Sequence, residues 1–143
     1  PSLGLEVIQL DADYTYSSTN RRSNQLATLE HIGFLDPLTT EVKALPRLVD
    51  PLAAGALETR ARSYLHTNCS TCHRPTGPGR GPADFRFGTA ANAVGVCNAA
   101  ATQGDFGLTD ARLLYPAHPS KSILSIRMRA LDTKRMHVSL EHD

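Results

Sequence analysis

The segment HTNCSTCHRPTGPG, residues 66–79, contains two cysteines and a histidine between a helical pattern and a loop rich in glycine and proline. In a C-x-x-C-H motif, two thiols one helical turn apart can each add to a vinyl group of one haem, and the next imidazole can bind its iron. The sequence therefore predicts one covalent haem c, attached at Cys69 and Cys72 and ligated by His73.

Three other interpretations of this motif are less favoured. A thioredoxin-like C-x-x-C lies at a helix N-terminus, where the thiol pKa is lowered, whereas Cys69 and Cys72 follow a predicted helix. A zinc site needs a second pair of ligands, and Cys97 with His118 lacks the paired spacing of zinc modules. A disulfide between Cys69 and Cys72 would close a loop too small for good geometry.

Three segments carry apolar side chains at helical spacing and are predicted to be helices. The first follows Ser23 as its N-cap and closes at Gly33, and the second covers about residues 52–68. The second has an apolar stripe made of Leu57, Ala61, Tyr64 and Leu65. The third follows Ser120, and its stripe runs from Ile123 through Met128 to Leu131.

The rest of the chain is predicted to be mostly irregular. LEVIQL, residues 5–10, fits a half-buried extended segment, and residues 36–52 contain three prolines and predict a linker with at most a short helical turn. Residues 74–107 hold most of the glycines and predict a loop, with a short extended DFRF piece and a small helix near residues 89–94. Order in this loop would need an outside scaffold.

Composition limits the classes of protein that fit. The chain has 143 residues, 41% of them hydrophobic, which suits one small globular unit. It has no apolar run of about 18 residues and no signal-peptide pattern, so we expect no membrane span. Tryptophan is absent and no dense basic run interleaves with aromatic residues, so nucleic acid is a poor fit as a partner.

Charge is distributed unevenly along the chain. Residues 1–58 hold four Lys or Arg against eight Asp or Glu, whereas residues 59–143 hold eleven against six. This asymmetry could steer an acidic partner toward the second half, although two differently solvated faces would give the same pattern.

The sixth iron ligand has four candidates downstream, Met128, Met136, His118 and His137. Met128 lies in the apolar stripe of a predicted helix, where methionine ordinarily packs in the core. Met136 lies just beyond that helix, in a segment able to fold over the second face of the haem. The sequence therefore favours Met136, with Met128, His137 and an open position as alternatives.

Five stretches of the sequence resemble one known family. They are RARSYLHTNCSTCHRP (60–75), VCNAA (96–100), GDFGLTDARLLYPAHPSKSILSIRMRALDTKRM (104–136), YTYSSTNRRSNQLATLEHIGFLD (14–36) and LPRLVDP (45–51). They resemble the bacterial c-type cytochrome domain found alone or fused to quinoprotein (PQQ-dependent) sugar dehydrogenase-like proteins.

The resemblance implies a monohaem electron carrier with His73 as proximal ligand and a distal methionine, which the preceding DTKR assigns to Met136. The family has two prolines after this methionine, whereas this chain has His137 and Val138. The implied fold is mainly α, with a cytochrome c-like helical domain around the covalent haem over residues 53–143. Residues 1–52 would form an irregular N-terminal extension that wraps this core.

Further site residues are predicted with alternatives. Arg86 resembles a family arginine that could pair a haem propionate through two parallel hydrogen bonds, and Arg80 could do the same. Either could equally be a solvated surface arginine. Cys97 is predicted to be buried as a small hydrophobic residue, or else available for an intermolecular bond. His31, His66, His118 and His142 are predicted to be surface residues.

The predicted function is outer-sphere transfer of one electron, without catalysis. Expected partners are a dehydrogenase as donor and an oxidase-linked acceptor, docking near Arg127, Arg129, Lys134 and Arg135. The resemblance implies a periplasmic location. The alternative function is a haem enzyme or small-ligand sensor with an open sixth coordination position.

Overall fold

The computed structural model describes residues 6–136, and the chain divides into two compact units, Pro1–Thr71 and Cys72–Asp143. The described residues form a small α/β protein with four short α-helices and one two-stranded antiparallel sheet, and about 30% of the residues are helical. The predicted mainly α, cytochrome c-like helical fold is therefore wrong. The physical reason is that glycine and proline interrupt most of the second unit, so helices there cannot extend.

The first unit contains a β-hairpin that the sequence analysis did not predict. Strand β1, Asp13–Tyr16, pairs antiparallel with β2, Arg21–Asn24, so that Tyr14 lies opposite Ser23. The loop of residues 17–20 closes with Asn20 in the left-handed region at φ 54°, which asparagine tolerates better than most residues. Nearly every side chain of both strands is exposed.

Two short helices flank the hairpin in sequence. Helix α1, Val7–Leu10, occupies the segment predicted to be extended, so that prediction was wrong. Short apolar runs such as VIQL do not distinguish helix from strand by periodicity alone. Helix α2, Gln25–His31, confirms the predicted helix, and its Leu26 is fully buried.

The N-cap of α2 is Asn24 rather than the predicted Ser23. The Asn24 side-chain oxygen accepts hydrogen bonds from the backbone N–H groups of Leu26 (2.9 Å) and Ala27 (3.3 Å). Its Nδ2 donates to the buried carboxylate of Asp11 at 2.6 Å. One side chain therefore caps the helix and satisfies a buried charge.

We expect Asn24→Ala to destabilise the protein by about 1 to 2 kcal/mol, because it removes both the helix cap and the partner of Asp11. Ser23→Ala, at the exposed neighbouring position, should change stability by less than about 0.5 kcal/mol. Urea unfolding followed by circular dichroism measures both. Equal losses in the two variants would show that Asn24 does not act as the cap.

Helix α3, Leu57–Cys69, is the longest helix among the described residues. It confirms a helix leading into the cysteines, although it begins five residues later than predicted. Its buried residues are Ser63 and His66, whereas Leu57 and Tyr64 of the predicted apolar stripe are exposed. The linker before α3 contains one 3-10 turn, Val42–Ala44, as predicted.

The second unit is held together by irregular backbone pairing. The segment 111–115 lies between residues 96–100 and 121–124, and its hydrogen bonds include Leu114 N to Val96 O (3.0 Å) and Leu113 N to Ala99 O (2.8 Å) on one side. On the other side, Ile123 N donates to Arg112 O at 2.9 Å. The buried apolar residues of this unit are Phe85, Val96, Ala111 and Ile123.

The remaining elements of the second unit are short. They are the 3-10 turns Ala91–Ala93 and Pro119–Lys121 and helix α4, Ile123–Arg129. The predicted loop over residues 74–107, with a small helix near residues 89–94, is thus confirmed, whereas the DFRF piece forms no strand. Helix α4 stops before Leu131, which is 95% exposed, so the predicted third helix was too long. None of the helices between residues 6 and 136 has the length and apolar character that crossing a bilayer requires.

Candidate functional site

The C-x-x-C-H motif continues directly from α3. Cys69 is the last residue of that helix, and Cys72 is the first residue of the second unit. Both thiols are half-buried, and neither they nor Cys97 forms a disulfide. Two reduced thiols are what thioether formation requires.

His73 makes two contacts with Phe85 within the second unit. Its ring meets the buried ring of Phe85 edge-on, with centroids 5.6 Å apart and planes at 67°. Its carbonyl oxygen accepts a hydrogen bond from Phe85 N at 2.9 Å. Phe85 thus contacts both the ring and the backbone of His73. These two contacts limit the orientations that the His73 side chain can adopt.

The Nδ1 atom of His73 is buried and has no hydrogen-bond partner among the described residues. Burial lowers the pKa of His73, so its imidazole is neutral at neutral pH, which is the form that binds metals. Because Nδ1 is enclosed by protein, Nε2 is the nitrogen suited to a metal. The donor set of two reduced thiols and a neutral imidazole fits a covalently attached haem.

The loop after His73 folds back on the motif. Gly79 N donates to the carbonyl oxygen of Cys72 at 2.8 Å, and Gly77 N donates to that of Arg74 at 2.9 Å. A Cβ atom at position 79 would lie 2.6 Å from Cys72 O and 2.8 Å from His73 Nδ1. The backbone at Gly79 therefore approaches the motif more closely than any residue with a side chain could.

Arg86, predicted to pair a haem propionate, is bound to Asp84. Its Nε and Nη2 donate to the two carboxylate oxygens, at 2.9 Å and 2.7 Å. These hydrogen bonds, together with one from Thr89, hold the pKa of Asp84 well below its usual range. Arg80 is exposed and takes part in no ion pair among the described residues. The propionate role stays a prediction for both arginines.

Asp84 provides a pH-dependent contribution to stability. Since its folded pKa lies below the ordinary value of 3.8, the ionised pair stabilises the fold above about pH 4 and loses this effect as the pH falls toward the folded pKa. We expect Asp84→Asn to cost about 1 to 3 kcal/mol near neutral pH. The difference from the unchanged protein should shrink below pH 4.

Asp110→Asn is the matched control for Asp84. Asp110 is an exposed carboxylate of the same unit, and asparagine tolerates its left-handed backbone at φ 60°. Urea unfolding from pH 7 to pH 3 measures both variants. A stability difference at Asp84 that does not change with pH would contradict the assigned role of its charge.

The candidate sixth ligands that lie among residues 6–136 are not enclosed by protein. Met136 is 45% exposed and Met128 is 47% exposed. Met128 therefore does not pack in the core, which removes one reason for preferring Met136, and the resemblance still implies Met136. His118 is exposed, and its ring contacts that of Tyr115 with centroids 4.5 Å apart and planes tilted by 55°. His137, His142 and Val138 lie outside the described residues.

Two predictions of burial were wrong. Cys97 is exposed, because its segment pairs with residue 114 through the backbone while the neighbouring Val96 enters the core. His66 is buried, and its Nε2 lies 2.8 Å from a carboxylate oxygen of Glu6. The sequence held a signal for His66, since it lies one helical turn from Ser63 on the buried face of α3.

The described residues contain no group of three or more His, Cys, Asp or Glu side chains that could hold a metal ion. Near the end of α4, Arg127 and Lys134 lie over the ring of Phe106, at 4.8 Å and 5.8 Å from its centroid. These cations belong to the predicted docking region, whose partner stays a prediction.

Comparisons of the chain with models of protein families, with curated proteins and with solved structures found no match.

Proposed function

We propose that this protein is a one-electron carrier holding one haem c through Cys69 and Cys72, with His73 as an axial ligand. The observation that carries the proposal is the C-x-x-C-H motif, in which neither cysteine forms a disulfide and the Nδ1 atom of His73 is buried, which lowers the pKa of its imidazole. The resemblance of the sequence to bacterial c-type cytochrome domains supports the same conclusion.

The two cysteines would bind the cofactor by addition. Each thiol adds across one vinyl group, so that sulfur forms a carbon–sulfur bond and the thiol proton passes to the other vinyl carbon. This step consumes no oxidant or reductant. It requires that Cys69 and Cys72 be thiols rather than a disulfide.

The bound haem would supply the one-electron couple of its iron. The chain's own residues keep the ligand in place. His73 would present Nε2 to the iron, while Phe85 packs against its ring and the surrounding protein buries Nδ1. A rigid site rearranges little when the charge on the iron changes by one electron. Such a site therefore suits outer-sphere electron transfer.

This function does not depend on a cytochrome c-like fold, because the same chemistry recurs on unrelated folds. We propose a periplasmic location, with a dehydrogenase as donor and an oxidase-linked acceptor. The cations near Phe106 support a salt-sensitive encounter with an acidic surface on either partner.

A second candidate function is a haem enzyme or a sensor of small ligands. It is favoured by one observation, the partly exposed side chains of Met128 and Met136. In this alternative the sixth position is open and binds a small molecule.

The test is to produce the full chain with the bacterial haem c maturation machinery and record three spectra. A pyridine haemochrome spectrum of a haem that resists acid–acetone extraction supports covalent attachment, and fully extractable haem overturns it. A low-spin ferric spectrum, together with a reduced spectrum that carbon monoxide does not change, supports the electron carrier. A high-spin ferric spectrum, together with a reduced spectrum that shifts on adding carbon monoxide, supports the enzyme or sensor instead.

A further inference from the structure

We propose that Arg127 is a positioning residue for the distal iron ligand, because its side chain holds residues 132–135 against α4 and so fixes the backbone that leads into Met136. The inference rests on the proposed function and deepens it, since it assigns to one arginine the presentation of the sixth ligand. All of the contacts involved lie within the second unit.

The guanidinium of Arg127, a half-buried residue of α4, joins three parts of the second unit. Its Nη2 donates to the carbonyl oxygen of Gln103 at 3.1 Å, and its Nη1 donates to that of Lys134 at 3.3 Å. Its central carbon lies 4.8 Å from the centroid of the Phe106 ring. A planar fork of N–H donors can make these contacts together, whereas an ammonium group acts as a point charge. Arg127 therefore links two segments that are distant in sequence to α4.

Phe106 provides the ring on which these segments meet. Its φ is 56°, a left-handed conformation that is unfavourable for a bulky residue. Gly107 also has a positive φ, and the hydrogen bond from Leu108 N to Asp105 O at 3.1 Å closes this turn. Nζ of Lys134 lies 5.8 Å from the centroid of the same ring. An unfavourable backbone conformation persists only where surrounding contacts compensate for it, and two cations over one ring supply such contacts here.

The turn of residues 132–135 also has hydrogen bonds of its own. Lys134 N donates to Oδ1 of Asp132 at 2.9 Å, and Arg135 N donates to the carbonyl oxygen of Asp132 at 3.1 Å. The backbone is thus hydrogen-bonded up to the residue before Met136.

Met136 is the distal ligand that the resemblance implies, and this chain constrains it differently from the family. In the family two prolines follow the methionine, whereas His137 and Val138 follow it here. Proline restricts the backbone after the methionine, whereas the contacts of Arg127 act on the backbone before it. A thioether is a weak, neutral ligand, so it binds iron well only where the chain keeps its effective concentration high. Release of residues 132–135 would therefore weaken ligation by Met136.

Arg129 is the matched control for Arg127. It lies on the same helix with the same charge, but it is exposed. Its hydrogen bonds to the described residues both go to Ser125 of that helix, from Nε to the carbonyl oxygen at 3.2 Å and from Nη2 to Oγ at 2.9 Å. Arg127→Gln and Arg129→Gln thus change the net charge equally, and only the first removes the link to residues 132–135.

The experiment compares the haem-loaded protein with these two variants by optical spectroscopy. A methionine-ligated ferric haem has a weak charge-transfer band at the red end of the visible spectrum, and carbon monoxide competes with the methionine for reduced iron. We expect Arg127→Gln to weaken the band and to raise about tenfold the fraction of reduced iron open to carbon monoxide, because release of the turn favours the unligated state. Arg129→Gln should change neither. Equal spectra in the two variants would overturn the proposal, and so would a covalent haem without the band in the unchanged protein.

Phe106→Asn decides the case in which Arg127→Gln does not fold. Asparagine tolerates the left-handed backbone, and Asn–Gly is a favoured pair where two successive φ values are positive. This variant keeps the turn and removes the ring that both cations contact. The charge-transfer band should weaken here too, and a band of full strength would overturn the proposal.

The contacts themselves can be measured without reference to ligation. In the reduced, haem-loaded protein we expect nuclear Overhauser effects from the ring protons of Phe106 to the side-chain methylene protons of Arg127 and Lys134, and their absence would overturn the positioning role. A chain that takes up no covalent haem would disprove the proposed function and this inference with it. Covalent haem with equal spectra in the two arginine variants would disprove the positioning role alone.

Discussion

Replacing both Cys69 and Cys72 with alanine is expected to abolish covalent haem attachment completely. No other residue can form the thioether bonds, and Cys97, the third thiol, lies on a different segment paired with residue 114. Haem staining of a denaturing gel measures the loss, because only covalent haem migrates with the polypeptide. Cys97→Ala should retain full staining and serves as the matched control.

The single variants sharpen this prediction. Cys69→Ala and Cys72→Ala should each keep at most one thioether, so one vinyl group stays unsaturated and the reduced pyridine haemochrome band moves to longer wavelength. Full staining in the double variant would show that the motif does not attach haem. Loss of staining in Cys97→Ala but not in the double variant would move the attachment site to that cysteine.

The second large effect is expected from His73→Gly. Removal of the imidazole should convert a low-spin ferric spectrum to a high-spin one and allow carbon monoxide to bind, because the iron loses an axial ligand. Added imidazole should restore the low-spin spectrum by entering the space the side chain leaves. Optical spectra of the ferric and reduced forms measure both changes.

His31→Ala is the control for the histidine variant. His31 is exposed at the end of α2, so its removal should alter neither the spin state nor carbon monoxide binding. An unchanged low-spin spectrum in His73→Gly would exclude His73 as a ligand. Failure of imidazole to restore the spectrum would indicate a rearranged site and would count against the simple ligand role.

The sequence predicted the elements whose local signals were strong. Helix α2 and helix α3 follow apolar or helix-forming runs, and the prolines between residues 36 and 52 prevented a longer helix there. The hairpin was missed because its strands expose almost every side chain. A strand without a buried face lacks the alternation of apolar and polar residues that predicts strands.

In the candidate site, too, residues with a local sequence signal were identified and residues without one were missed. The cysteines and His73 were singled out because the C-x-x-C-H spacing is readable from sequence, and their role in holding a haem stays a prediction. Phe85 and Gly79 were missed because their contacts with His73 form only when the loop folds back. The resemblance to c-type cytochrome domains predicted a mainly α fold that the structure does not have, because glycine and proline interrupt the second unit.

The exposed hairpin offers a place to attach a reporter. Every residue of its loop, 17–20, is exposed, and the flanking strands leave few side chains whose packing an insertion would disturb. Exposed loop tips of this kind tolerate inserted sequence well. A fluorophore or a short affinity tag placed there would allow the protein to be immobilised or followed by light without alteration of the cysteine–histidine segment.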